Sequence, residues 1–164
     1  MKIYIGADHK GYNLKEEIKQ WLISNNHQVE DCGASELTPM DDYVDYAKNV
    51  GNKVSEEKAR LAEDSSQNEV GEPRRGSRGI VICGSGAGVD ITANKINGIR
   101  ACLGFNIEQV KAARADDDVN VLALSSDFTI FDDAKLLIDA FLKTPFDPTD
   151  NHVRRIEKIK SLES

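Results

Sequence analysis

The sequence predicts an α/β fold with one five-stranded parallel sheet, doubly wound and covered by helices on both faces. Three observations carry this. Strand-like and helix-like patterns alternate through the whole chain. The run Gly79-Ile80-Val81-Ile82-Cys83 is β-branched, fit for a buried strand, and breaks into the alternating glycines Gly84, Gly86 and Gly88 before a helical stretch. A length of 164 residues suits one domain with a proper core, so a single domain over 1–164 is expected.

Residues 3–6 read as the first strand, and 12–25 as a helix with Leu14, Ile18, Trp21 and Leu22 on one face. Asn26-His27 turns the chain into a short second strand at 29–32. A helix from Asp42 to about Ala62 places Tyr46, Ala47, Val50 and Val54 at helical spacing. The third strand, 79–83, leads through the glycines into a helix ending at Ile96. A fourth strand at 99–104, a helix at 107–114 and a fifth strand at 119–124 follow. A helix at about 132–142 turns Ala134, Leu137, Ile138 and Phe141 inward, and the break Pro145-Phe146-Asp147-Pro148 precedes a terminal helix at about 151–162. Residues 63–78, which include Arg74-Arg75, are polar and turn-rich and read as a mobile surface loop. The whole is a Rossmann-like three-layer αβα sandwich. Its site is expected in loops at the carboxyl edge of the sheet: 6–11, 33–42, 83–88, 105–106 and 125–128.

Composition narrows the function. A net charge of −7 without a basic stripe argues against a nucleic-acid partner, while leaving an anionic small molecule open. No apolar run is long enough to cross a membrane, and the amino terminus enters a strand-like pattern rather than a signal peptide. Three cysteines, Cys32, Cys83 and Cys102, make neither a disulfide framework nor a zinc site and suit a reducing cytoplasm. Cys32 and Cys102 read as structural.

Cys83 is different. It stands at the carboxyl end of a strand, followed by glycines whose backbone amides can approach an anion closely. A thiolate is favoured beside a helix amino terminus, and amides of Gly84 to Gly88 can stabilise charge developing on an oxygen. A buried apolar cysteine above a plain nucleotide-binding loop is the competing reading.

Gly6-Ala7-Asp8-His9-Lys10-Gly11, Asp42-Tyr43, Ile82-Cys83-Gly84-Ser85-Gly86-Ala87-Gly88, Ala93-Asn94-Lys95 and Gly98-Ile99-Arg100-Ala101 occur in an order that resembles the ribose-5-phosphate isomerase B family, which includes the galactose-6-phosphate isomerase subunits. The resemblance covers almost all of the chain except 63–78. It implies an aldose–ketose isomerase of sugar phosphates that needs no metal or organic cofactor, with Cys83 moving a proton between neighbouring sugar carbons through an enediolate. Ser85, where the family usually has threonine, is implied to help open the sugar ring. Asp8 and Tyr43 are implied to contact sugar hydroxyls or the ring, and His9 the phosphate. Gly84, Gly86, Ala87, Gly88 and Asn94 complete the substrate-binding set on this side. Asp8 as a helix cap, His9 as an ordinary loop residue and Tyr43 packed on Tyr46 are the competing structural readings.

The chain departs from the family at substrate-handling positions. Asp116 stands where a ring-opening histidine is usual, and Asp117 where an asparagine binds sugar. A carboxylate accepts a proton but donates one poorly at neutral pH. Asp127 replaces a common arginine, and Asn151 replaces the first of two arginines near the final helix, the second kept as Arg155; His152 and Arg154 lie close by. Loss of bidentate guanidinium contacts should weaken phosphate binding. By resemblance the protein is a homodimer, possibly a tetramer, with Cys83, Asp8, His9 and Tyr43 from one chain meeting Asp116, Asp117 and Arg155 of the other. Val153, Ile156 and Ile159 read as exposed apolar residues compatible with such an interface. Two alternatives stay open: a non-catalytic sugar-phosphate-binding module, and an isomerase of another sugar such as a hexose phosphate. A phosphate-receiver domain does not account for Cys83 and its glycine loop.

Overall fold

The structure is a computed structural model and describes residues 1–64 and 76–163. Among these, the elements run β1 (Lys2–Ala7), α1 (Tyr12–Ser24), β2 (Gln28–Asp31), α2 (Tyr43–Asp64), β3 (Arg78–Cys83), α3 (Ala87–Ala93), β4 (Ala101–Leu103), α4 (Ile107–Asp117), β5 (Val121–Ser125), α5 (Phe131–Lys143) and α6 (Asp150–Lys160). The strands form one sheet in the order β2-β1-β3-β5-β4, every pair parallel. Of the polar stretch 63–78, positions 65–75, with Arg74-Arg75, lie outside the described residues.

Parallel strands joined by crossover helices are buried on both faces, and alternate side chains feed two cores. Ile3, Ile5, Ala7, Ile80, Ile82, Leu122 and Leu124 face α1, α4 and α5 through Leu14, Ile18, Val110, Ile138 and Phe141. Tyr4, Val81, Cys83, Val121 and Ala123 face α2 and α3 through Ala47, Val50, Val54 and Val89. After β2 the chain returns to the other side of β1, so β1 and β3 are neighbours that feed loops toward opposite sides. This is the switch point where doubly wound sheets form their ligand crevice.

The expected elements are all present, with three physical corrections. Helix α3 stops at Ala93 instead of Ile96, because the Asn94 side chain folds onto β4: its Oδ1 accepts from Ala101 N at 2.9 Å, and its Nδ2 donates to Ala101 O at 3.1 Å. Strand β4 is shorter than 99–104, because the Arg100 amide donates to the Asn120 side chain at 2.8 Å instead of joining the ladder at its start. Ile156 is buried, whereas Val153 and Ile159 are exposed, so α6 offers two apolar residues to a partner and not three.

Candidate active site

Register brings the two loops of the site together. Ala7 of β1 pairs with Ile82 of β3, which places Asp8 beside Cys83; Cys83 in turn pairs with Ser125 of β5. Cys83 is a free, buried thiol on the α2/α3 face of the sheet. The carbonyls next to it are held from β5: Cys83 O accepts from Ser126 N at 3.0 Å, and Gly84 O from Ser125 Oγ at 2.6 Å and Asp127 N at 3.0 Å. Gly86 adopts φ 75°, and a Cβ there would stand 2.5 Å from Leu103 Cδ1 and 3.0 Å from the Leu124 carbonyl carbon. Only glycine fits this turn, which leads the amides of Ala87 and Gly88 into the first turn of α3. The Ser85 side chain is exposed beside the thiol, and its hydroxyl accepts from Ala87 N at 3.4 Å.

Asp8 is buried, and its Oδ1 accepts from Lys10 N and Gly11 N at 3.1 Å each. These bonds close a tight Asx-type turn after β1; α1 has Gly11 at its N-cap with no side-chain bond, so Asp8 does not cap it. Tyr43 opens α2 and lies on the glycine loop: a Cβ on Gly88 would come within 2.6 Å of its Cζ. The ring therefore packs on Gly88 over the entrance to α3.

His9 is fixed by a residue that sequence reasoning missed. Asp41 Oδ1 accepts from His9 N at 2.8 Å and pairs with His9 Nδ1 at 2.7 Å. Burial pushes the Asp41 carboxyl up, but the His9 amide, the His9 ring and the Tyr46 hydroxyl outweigh it and hold it below its ordinary value. The carboxylate makes Nδ1 the donor, and Nε2 has no partner among the described residues. The loop carrying Asp41 is anchored further back by Lys15, which is fully buried and donates to Ala34 O at 2.6 Å and Asp31 Oδ2 at 2.8 Å. Because folding lowers the Asp41 pKa, its stabilisation is present above the ordinary value of 3.8 and is lost as pH falls through the folded value. Asp31 is lowered too and adds with the same sign. Thermal melts should thus show stability falling below about pH 4, and Asp41→Asn should flatten that fall; parallel curves for the two proteins would reject Asp41 as a contributor.

The second group of candidates lies at the other edge. Helix α4 runs antiparallel to the strands, so Asp116 and Asp117 sit at its end by the start of β5, and Arg155 is exposed on α6. Asp116 Oδ1 lies 3.7 Å from His152 Nε2, and Asp117 lines a separate cleft of about 740 Å³ with Asn94, Arg100 and Cys102. One chain does not bring these residues to Cys83. The acidic run Asp116-Asp117-Asp118 at this helix end is not uniformly solvated. Asp118, in the left-handed region at φ 47°, accepts from Arg100 Nη2 at 2.6 Å and Arg114 Nη1 at 2.8 Å, both guanidinium groups being buried. Asn94 bonds the backbone of Ala101 through both side-chain atoms, which gives it a structural duty at the sheet edge. Burial pushes the Cys32 and Cys102 thiols up to about 11, so both stay protonated near neutrality. Among the described residues no three His, Cys, Asp or Glu side chains are grouped so as to hold a metal ion, and no helix is long and apolar enough to cross a membrane.

A thiol at the end of a parallel strand, an Asx-turned carboxylate beside it and a glycine loop at the sheet's switch point define an α/β enzyme acting on a small molecule. The chain belongs to the ribose/galactose isomerase family, whose model matches residues 3–62 and 65–159, and it is an isomerase. Ribose-5-phosphate isomerase B of Mycobacterium leprae is 32% identical over 163 residues, 99% of this chain and 90% of that protein. The structure of the Mycoplasma genitalium ribose-5-phosphate isomerase B with bound ribulose 5-phosphate superposes with a TM-score of 0.85 at 34% identity, covering 99% of this chain and 95% of the other. That of the Clostridium thermocellum ribose-5-phosphate isomerase B gives 0.83 at 36%, covering 99% and 97%.

Proposed function

We propose that the protein interconverts ribose 5-phosphate and ribulose 5-phosphate, with Cys83 as the base. The observation that carries this is the placement of the Cys83 thiol beside Asp8 and the Gly84-to-Gly88 loop at the β1/β3 switch point, in a fold whose Mycoplasma genitalium relative holds ribulose 5-phosphate. In the ring-opened aldose the Cys83 thiolate takes the proton from C2. The electron pair forms the C1–C2 double bond of an enediolate, and the carbonyl oxygen O1 gains negative charge. Loop amides stabilise that charge. The thiol proton exchanges with solvent, and sulfur then delivers a proton to C1 while the O2 proton passes to O1, giving the ketose with no net gain or loss of protons. Ser85 and Asp116 serve ring opening, and Asp8, Tyr43 and Asp117 hold hydroxyls. His9, ordered by Asp41, and Arg155 face the phosphate. Such a reaction takes place in the cytoplasm, without metal or organic cofactor.

In this reading the protein is a homodimer whose sites each join Cys83 of one chain to Asp116, Asp117 and Arg155 of the other. The separation of these groups to opposite sheet edges within one chain supports it. Mixing Cys83→Ala with Arg155→Ala, each impaired by itself, under conditions of subunit exchange should add back up to about a quarter of the unmodified activity, because half of the dimers then carry one intact site. No recovery despite proven exchange would place the whole site in one chain. The direct assay follows ribulose formation from ribose 5-phosphate, with galactose 6-phosphate run beside it because Asp127 lies against the glycine loop. Turnover of the hexose phosphate alone would reassign the substrate.

A further inference from the structure

We infer that Lys10 is the cation that this chain's own loop supplies to the substrate phosphate, a role resting on the isomerase reading above and naming how its anion is held. A built Cβ on Gly84 would stand 2.9 Å from Asp127 Oδ2 and 3.7 Å from Lys10 Cγ, so a carboxylate and a lysine stem meet over the same glycine. The Lys10 amide is tied to Asp8 Oδ1, which sets the direction in which the stem leaves the turn. Its side chain is exposed, and among the described residues its ammonium makes no hydrogen bond or ion pair.

The neighbouring groups of the loop are partly committed, with His9 Nε2 left open toward the phosphate. Asp8 serves the turn, and the His9 Nδ1 serves Asp41. A phosphate arriving over Gly84 meets the Asp127 carboxylate, and like charges brought close together oppose binding. Lys10 lies on that approach, offsets Asp127 and has three unclaimed donors for the phosphate oxygens. A point charge on a flexible stem is less selective than a guanidinium fork, so the phosphate of a pentose or of a longer sugar can be met by the same residue.

The test reads binding apart from turnover. Dissociation constants for ribose 5-phosphate are measured by calorimetry on the Cys83→Ala protein, alone and combined with Lys10→Met, Lys10→Arg or Asp127→Asn. Lys10→Met should weaken binding about tenfold, the loss of one charge-assisted contact, and should flatten its dependence on salt. Lys10→Arg should retain affinity, and Asp127→Asn should improve it. An unchanged constant in Lys10→Met overturns the inference. An equal weakening toward ribose, which has no phosphate, overturns it as well. Turnover by the unmodified protein decides the isomerase reading independently of either result.

Discussion

Cys83→Ala is expected to lower turnover of ribose 5-phosphate by about 10²- to 10⁴-fold, the range for removing a positioned acid–base group. The fold should survive. Cys83 ends β3 and packs with Val81, Val89 and Ala123, where loss of one sulfur atom leaves a small void costing about 1 kcal/mol. The backbone that shapes the site is held by other groups: Cys83 O by Ser126, and Gly84 O by Ser125 and Asp127. Cys83→Ser should fare little better than alanine, since a hydroxyl keeps the size but gives up its proton far less readily than a thiol. Steady-state kinetics paired with thermal melting separates the outcomes. A variant that melts nearly as the unmodified protein does and has lost turnover supports the base; one that keeps near-normal turnover rules Cys83 out.

The second large effect is on stability. Asp118→Ala is expected to destabilise the protein by about 3–5 kcal/mol, because it strands two buried guanidinium groups at once. The Arg100 and Arg114 side chains are 7% and 3% exposed and converge on this one carboxylate. Arg100 also donates from Nε to Asp117 O and from Nη2 to Asp118 O, each at 2.7 Å, and Arg114 to Val119 O at 2.6 Å. The cluster therefore fastens the end of α4 to the starts of β4 and β5. Asp118→Asn should cost less: asparagine tolerates the left-handed backbone and its amide oxygen still accepts from one arginine, so the charge and the other arginine's bond are lost. Urea unfolding gives the number, and a loss below about 1 kcal/mol for the alanine variant would show that the two arginines find other partners.

These two residues differ in how far the sequence betrays them. Cys83 is visible because a β-branched strand ending on a thiol and breaking into glycines is a local pattern, and Ser85, Gly86 and Gly88 come with it. The sheet is visible for the same reason: Ile3, Ile5, Ile80, Ile82, Leu122 and Leu124 lie in short apolar runs between helical periods. Asp118 was half visible. Its i,i+4 relation to Arg114 is readable on a helix, but its bond to Arg100 spans 18 positions and emerges only when β4 and β5 align. Asp41 and Lys15 were hidden by distance along the chain; their bonds to His9 and Ala34 cross 32 and 19 positions. Helix α3 was overestimated because Asn94-Lys95-Ile96 continues a helical pattern that the Asn94 side chain ends by pairing with a strand edge. Asp116, Asp117 and Arg155 were placed by resemblance, and a lone chain keeps them at the edge away from Cys83.

If Cys83 moves a carbon-bound proton, isotope exchange reads that event directly. Ribose 5-phosphate is incubated with the protein in deuterated water, and proton NMR follows its conversion to ribulose 5-phosphate. The ketose should form with solvent deuterium at C1, recovered aldose should gain deuterium at C2, and both signals should vanish with Cys83→Ala. Conversion without solvent deuterium in either sugar, or equal exchange by Cys83→Ala, would contradict proton transfer by Cys83.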